Sequence, residues 1–397
     1  MSLNMDRSGW VRLSLGTVAT ASKEKVNPSN GTVDRYVAGE HMDSDDLKIH
    51  RWGDPNETDL GPAFHRRFRP GQVLYGSRRT YLRKVAVADF DGVCANTTFV
   101  VQTKDPARLL PEFLPFVMSA EPFHAFAIAE SKGSVNPYVN WSDIERYEFD
   151  LPPLGEQKRI ADLLWSVELH RRSVIESART LSATRAEWFA ETLIAGVESG
   201  WTRDSIRNLV ISGPTNGKSG RANDEERGVP TLSISAIRDG LVRGGASVKY
   251  MDVAPGDVSN FVIQEDDVLV VRGNGNKQLT GRAGLARGGL PPGCVYPDLL
   301  IRLRFDDARL DPAFAVEQWN SSAHAELVQR AKSTNGIWKI NGQDIKSHSL
   351  VVPPPAAQAN MLGQIEHFTR AESVIRSEAD ALGALRSSIL SSIFGGN

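Results

Sequence analysis

Residues 151–193 open on a Pro152-Pro153 stop and then carry a seven-residue apolar beat: Ile160, Val167, Val174, Leu181 and Trp188. A period of seven keeps one stripe of an α-helix apolar and leaves the rest to charge, which is the pattern of a helix-to-helix seam and not of a helix laid on a globular core. Leu163, Leu164, Ala178 and Leu193 broaden the same stripe. A shift of 201 positions lands on Met361, Phe368, Ile375, Leu382 and Ile389, all apolar, and carries the two prolines onto Pro353-Pro354. By the same shift Gln157 maps to Gln358, Ala178 to Ala379, Arg185 to Arg386, and Asp143-Ile144 to Asp344-Ile345. The chain contains its own copy, and each copy must end in a long helix.

The expected fold class is α+β. Two mixed, mostly β domains are separated by two long antiparallel helices, with boundaries at 1–153, 154–196 (central spacer helix), 197–353 and 354–397 (C-terminal spacer helix). Each helix, at ~40 residues, reaches roughly 60 Å. In the first domain the runs 10–15, 35–38 and 72–75 are rich in β-formers and close on Gly16, Gly39 and Gly76. The runs 85–88 and 97–101 continue the series, and a helix is predicted over 109–126. Trp201 opens the second domain as Trp10 opens the first, and 312–328 supplies its late helix.

With 46 basic and 48 acidic residues the net charge is −2, so global charge cannot hold this protein on nucleic acid, and any such affinity must come from local patches or partners. Cys94 and Cys294 have no paired neighbours, which points away from a zinc cluster or disulfide framework and towards small buried side chains in a reducing cytoplasm. There is no apolar run long enough to span a membrane and no signal-peptide pattern, so the expectation is a soluble, cytoplasmic protein.

Leu151-Pro152-Pro153-Leu154-Gly155-Glu156-Gln157-Lys158-Arg159-Ile160-Ala161 resembles the segment that opens the central helix of type I restriction-modification specificity subunits. The second copy, from Val351 to Gln358, keeps the prolines and the glutamine but has Ala357 where Glu156 stood. The domain–helix–domain–helix order extends the resemblance to essentially the whole chain. It implies two target-recognition domains, each reading one half of a split sequence in double-stranded DNA, held apart by antiparallel helices. It also implies a chain without catalysis of its own that recruits two adenine-methylating M subunits, with nuclease-bearing R subunits as optional additions. The methyl donor S-adenosylmethionine then belongs to M, leaving no cofactor, metal or catalytic residue here. A rigid spacer makes half-site separation a geometric property, which a flexible linker cannot do. The arginines at 171, 172, 179, 185, 370, 376 and 386 are expected on exposed helix faces, either as docking points or as plain solvated charge.

Three stretches are candidate DNA readers. Arg66, Arg67, Arg69, Arg78, Arg79, Arg83 and Lys84 crowd the middle of the first domain with Tyr75 and Tyr81 among them, and arginine forks suit both guanine edges and phosphates. In the second domain Arg272, Asn274, Asn276, Lys277, Gln278 and Arg282 offer amides for adenine and cations for guanine, although Asn274-Gly275 equally suits a plain hairpin turn. The third is a loop shared by both copies, with Lys132 in one and Lys332 and Lys339 in the other; Tyr138 and Trp338 there read better as packing residues than as base platforms.

Enzyme motifs come close and fail. Gly213 to Ser219 has three residues between its glycines where a phosphate loop needs four, and a turn after an opening strand is the better reading. Asn136-Pro137-Tyr138 is one proline short of the adenine-methyltransferase signature, and the eight histidines form no metal or nucleophile pattern. The competing reading is a two-headed protein scaffold without DNA readout.

Overall fold

In the computed structural model the described residues are 6–395 apart from Asp224 and Asn335, the latter falling in the second copy of the shared loop. The chain forms two compact units, Met1–Glu176 with Ile375–Asn397, and Ser177–Val374. Both long helices are present, as Leu154–Glu198 and Pro355–Phe394, and each contributes to both units. Both start at the proline stops, where a missing N–H costs a helix nothing because the first-turn donors have no partner in any case.

In the first unit, Val11–Ser14 pairs antiparallel with Glu148–Leu151, so the two ends of the β-rich part are zipped together just before the helix begins. Between them lie a four-stranded sheet, ordered Ala19–Ala21, Thr98–Thr103, Val73–Gly76, Val85–Val87, and a three-stranded one, ordered Tyr36–Val37, Gly92–Ala95, Phe64–Phe68. The second unit repeats the zip between Thr202–Ser205 and Ser349–Val352. Its main sheet has six strands, with Val268–Val271 and Ala283–Leu285 at its centre and Leu300–Phe305 on the other side of Val268–Val271.

The helix predicted over 109–126 is two helices, Leu114–Met118 and Glu121–Ala129. Pro122, in the first turn of the second, cannot donate the bond that would continue the first. Residues 213–216 are not a turn: they belong to the strand Val210–Asn216, which pairs with Leu300–Phe305 through two register shifts. Cys94 and Cys294 are buried.

Within the first unit the start of the first long helix shares a core with the end of the second. Ile160, Leu164 and Val167 join Ile389, Leu390 and Ile393, and Leu382 packs against them. Within the second unit Phe189 and Leu193 share a core with Met361 and Ile365, and the rings of Trp188 and Phe368 lie 5.6 Å apart. Val174 is buried, whereas Leu181, Trp188, Phe368, Ile375 and Leu382 are half-buried. The stripe is also less uniform than its beat implies, because Glu168, Glu372 and Arg386 are buried on these helices. Arg386 therefore corrects the expectation of an exposed face: it is 7 % exposed, and its guanidinium donates to Asp45 O and Ser119 Oγ, both at 3.2 Å. Arg171, Arg172 and Arg185 are partly covered too, the first two against Glu168 and the third against Glu317.

His124 is buried in the first unit, and burial, helped by Arg83 and Arg386, pulls its pKa from 6.5 down to about 4. As the folded value is the lower one, the unfolded chain takes up the proton first. Stability should hold above about pH 6.5 and fall by about 3 kcal/mol by pH 4, a loss that His124→Phe should flatten. Melting temperature across pH 4–8 checks this; an identical slope in the variant would assign the effect to other groups.

Candidate nucleic-acid interface

In the first unit the strand Val73–Gly76 leaves the sheet, and the chain returns to it at Val85–Val87. Tyr75 stays buried, edge-on to Phe123 at 5.5 Å, and roots the excursion. Arg79 and Arg83 adopt φ of +50° and +52°, which folds the loop back tightly. Its backbone is stitched to the second candidate loop. The Arg79 N–H donates to Pro137 O at 2.6 Å, and Val139 N–H donates to Ser77 O at 3.0 Å. Lys132 and Tyr138 exchange both backbone bonds, at 2.8 and 2.9 Å. Residues about 60 apart in sequence, such as Arg78 and Tyr138, thus meet on one edge.

Arg78, Arg79, Tyr81 (52 %), Val135 (84 %) and Tyr138 (42 %) are exposed on that edge. Among the described residues Arg78 and Arg79 form no ion pair, so their forks are available to a ligand. Lys132 is on the same edge, but its ammonium lies 2.9 Å from Asp143, whose carboxyl that bond holds below its usual range.

The other cations of the sequence cluster go elsewhere. Arg66 donates to Thr98 O at 2.9 Å and lies over the Phe99 ring, and burial lowers its pKa. Arg67 grips Asp91 with two bonds, at 3.1 and 2.5 Å, and Arg69 grips Glu24 at 3.1 and 2.7 Å; both carboxyls are held low by these partners. Arg83 bonds Glu121 at 2.7 Å, and Lys84 donates to Gly39 O.

The second unit builds the corresponding edge as a three-stranded sheet, ordered Gly273–Asn274, Ile337–Lys339, Lys332–Thr334. Gly273 faces Lys339, Asn274 faces Trp338, and Lys332 also faces Lys339. A Cβ on Gly273 would meet Leu299 at 3.0 Å, so the glycine serves this close approach within the protein. The Lys277 ammonium lies 4.5 Å from the centre of the Trp338 ring. Asn274 Oδ1 accepts from Asn276 N–H at 2.8 Å, and Asn276 Oδ1 from Gln278 N–H at 2.9 Å, so both amides already shape the turn. Gln278, Arg282 and Lys332 are exposed, while Arg272 turns inward and donates to Asp298 O at 3.2 Å. Of three amides in sequence, Gln278 has the carboxamide that the turn does not use.

Residue types alone did not reveal Val135 as part of this edge, since an isolated valine signals burial more readily than exposure. Gln157 and Gln358, visible only as a repeat correspondence, turn out to be buried brackets. Gln157 accepts from Leu110 N–H and donates to Arg108 O and Pro152 O, each at 2.9 Å. Gln358 does the same with Asp311 N–H, Arg309 O and Pro353 O, at 2.8–2.9 Å. Among the described residues no group of three or more His, Cys, Asp or Glu is placed to hold a metal ion, and no helix is long and apolar enough to cross a membrane.

A family model described as "Type I restriction modification DNA specificity domain" matches residues 63–176, which include both loops of the first edge. The specificity subunit of type I restriction enzyme EcoKI from Escherichia coli (strain K12) is 27 % identical over 316 residues, covering 72 % of this chain and 67 % of that protein, about two-thirds of its length. Two solved structures share the fold. One, reported under the structural basis of complex assembly and conformational transition of the type I R-M system, has 20 % identity and a TM-score of 0.56, with 98 % of both chains covered. The other, the type I restriction-modification system S subunit from M. genitalium, has 14 % identity and a TM-score of 0.55, covering 100 % of this chain and 99 % of that one.

Proposed function

We infer that this chain, which belongs to the type I restriction-modification specificity family, reads a two-part DNA target, one part with each β-rich unit. The observation that carries this reading is the edge built twice, from 77–83 with 132–138 and again from 273–282 with 332–339. Arg78 and Arg79 are the proposed readers of the first half, through guanine edges or the adjoining phosphates, with Tyr81 and Tyr138 as flanking contacts. Gln278, Arg282, Lys277, Lys332 and Lys339 are proposed for the second, with Asn274 and Asn276 holding the turn. Arg67, Arg69 and Arg83 are proposed as internal braces of the reader, since each is held by a carboxylate.

The chain is itself non-catalytic and carries no cofactor; S-adenosylmethionine is bound by the methyltransferase subunit. It works in an assembly on DNA, for which we propose two methyltransferase subunits, with restriction subunits as an optional addition, in the cytoplasm. A net charge of −2 leaves few phosphate contacts to this chain alone, so isolated protein should bind DNA weakly and the assembled complex strongly.

Mapping N6-methyladenine in cells with and without the gene and its neighbouring methyltransferase tests the reading. A split motif with a fixed gap is expected, and exchanging residues 1–150 for those of a relative should change one half of it. Methylation indifferent to the chain, or a change in both halves, would reject the two-reader scheme in favour of a protein scaffold.

A further inference from the structure

Each long helix carries two side chains 28 residues apart, Gln157 and Arg185 on the first and Gln358 and Arg386 on the second, related by the shift of 201. The glutamine serves the unit that the helix leaves, and the arginine serves the other. In the first unit Arg386 reaches from the second helix to Ser119 Oγ, just after the helix Leu114–Met118, and to Asp45 O, with its Nε 3.8 Å from Glu168 of the first helix. In the second unit Arg185 reaches from the first helix to Glu317 on the helix Pro312–Gln318. Those two short helices hold the same place in the repeat, because the groups bonded to Gln157 and Gln358 at their N-terminal sides, Arg108 and Leu110 against Arg309 and Asp311, are also 201 apart.

Burying charge is a poor route to stability, because well-packed apolar side chains at such places often stabilise as much or more. A guanidinium, however, directs its donors in a fixed plane, so it sets an angle that an apolar contact leaves loose. Arg386 meets three partners at once, on the Asp45 segment, at Ser119 and on the first long helix. The glutamine bracket is one attachment of each unit to the helices, and the arginine is a second on the opposite helix. Two attachments define an orientation where one leaves a pivot.

We propose that Arg386 and Arg185 are positioning residues that fix the angle of each recognition unit on the helix pair and so make the spacing between the DNA half-sites selective. This rests on the two-part reading above, and the test separates the two. The complete complex with its methyltransferase subunits is assayed on three duplexes: the mapped target, and the same halves with the gap one base pair longer or shorter.

With Arg386→Met or Arg185→Met the preference for the natural gap should fall by about tenfold or more, as expected of a misplacement near 1 Å, while Arg386→Lys retains part of it. A fall in the same proportion on all three duplexes, or an unchanged preference, overturns the proposal, because either is what a purely structural role predicts. Should Arg386→Met fail to fold, Arg185→Met decides alone, its ion pair being partly open to solvent. If the unaltered complex methylates no split target, the two-part reading falls and this inference with it; a split target with unaltered gap preference in the variants rejects only this inference.

Discussion

Replacing Gln157 with leucine is expected to destabilise the first unit by about 2–4 kcal/mol, since the buried Pro152 carbonyl and the part-buried Leu110 N–H and Arg108 carbonyl lose their partner, at a cost of about 1–3 kcal/mol for the buried group and less for the other two. Leucine fits the volume, so the loss comes from Leu110 N–H and from the Arg108 and Pro152 carbonyls, of which the Pro152 carbonyl is the buried one. Gln157→Glu should be nearly as damaging, because it sets an oxygen against two carbonyls where the amide donated. Gln358→Leu should do the same to the second unit, through Asp311, Arg309 and Pro353. Denaturant unfolding of the full chain, followed separately in each unit by exchange of backbone amides, checks the assignment. A cost below about 1 kcal/mol would mean that these brackets are dispensable.

The second large effect is expected on function and not on folding. Arg78→Ala together with Arg79→Asn should weaken target binding by the assembled complex by about 2–4 kcal/mol, at about 1–3 kcal/mol for each well-made contact to a base edge. Asparagine is chosen at 79 because that residue has φ of +50°, which alanine adopts poorly. Both side chains are exposed, so melting should be unchanged. Binding measured over a range of salt separates the roles: a lost base contact relaxes sequence preference at one position, while a lost phosphate contact lowers the salt slope. Arg67→Ala should act the other way round, reducing stability by releasing Asp91. Unchanged target binding in the double variant would remove this edge from the interface.

The repeat, the two helices and their starts were legible because they depend on local rules, namely the seven-residue period and the prolines that end the preceding strand. The strand runs near 73–76, 85–87 and 98–103 were legible for the same reason, with alternation and β-branched residues closed by turns. The cluster from Arg66 to Lys84 was visible as a cluster but not in its parts. Whether each guanidinium faces a carboxylate depends on Glu24, Asp91 and Glu121, which are far along the chain and reach it only through folding.

Sequence by itself determined that this chain is a doubled unit with long helices, since periodicity and a 201-residue shift are properties of the string; the recognition role entered through the resemblance of the segment from Leu151 to Ala161 to the specificity family. Tertiary structure alone decided which cations remain free, because a long-range ion pair is invisible in sequence. It also decided that the loops at 77–83 and 132–138 share an edge, through backbone bonds that no side-chain pattern encodes. The same holds for Arg386, which is indistinguishable in sequence from a solvated helix charge and is buried only because a helix from the other end of the chain packs beside Ser119 and Glu168.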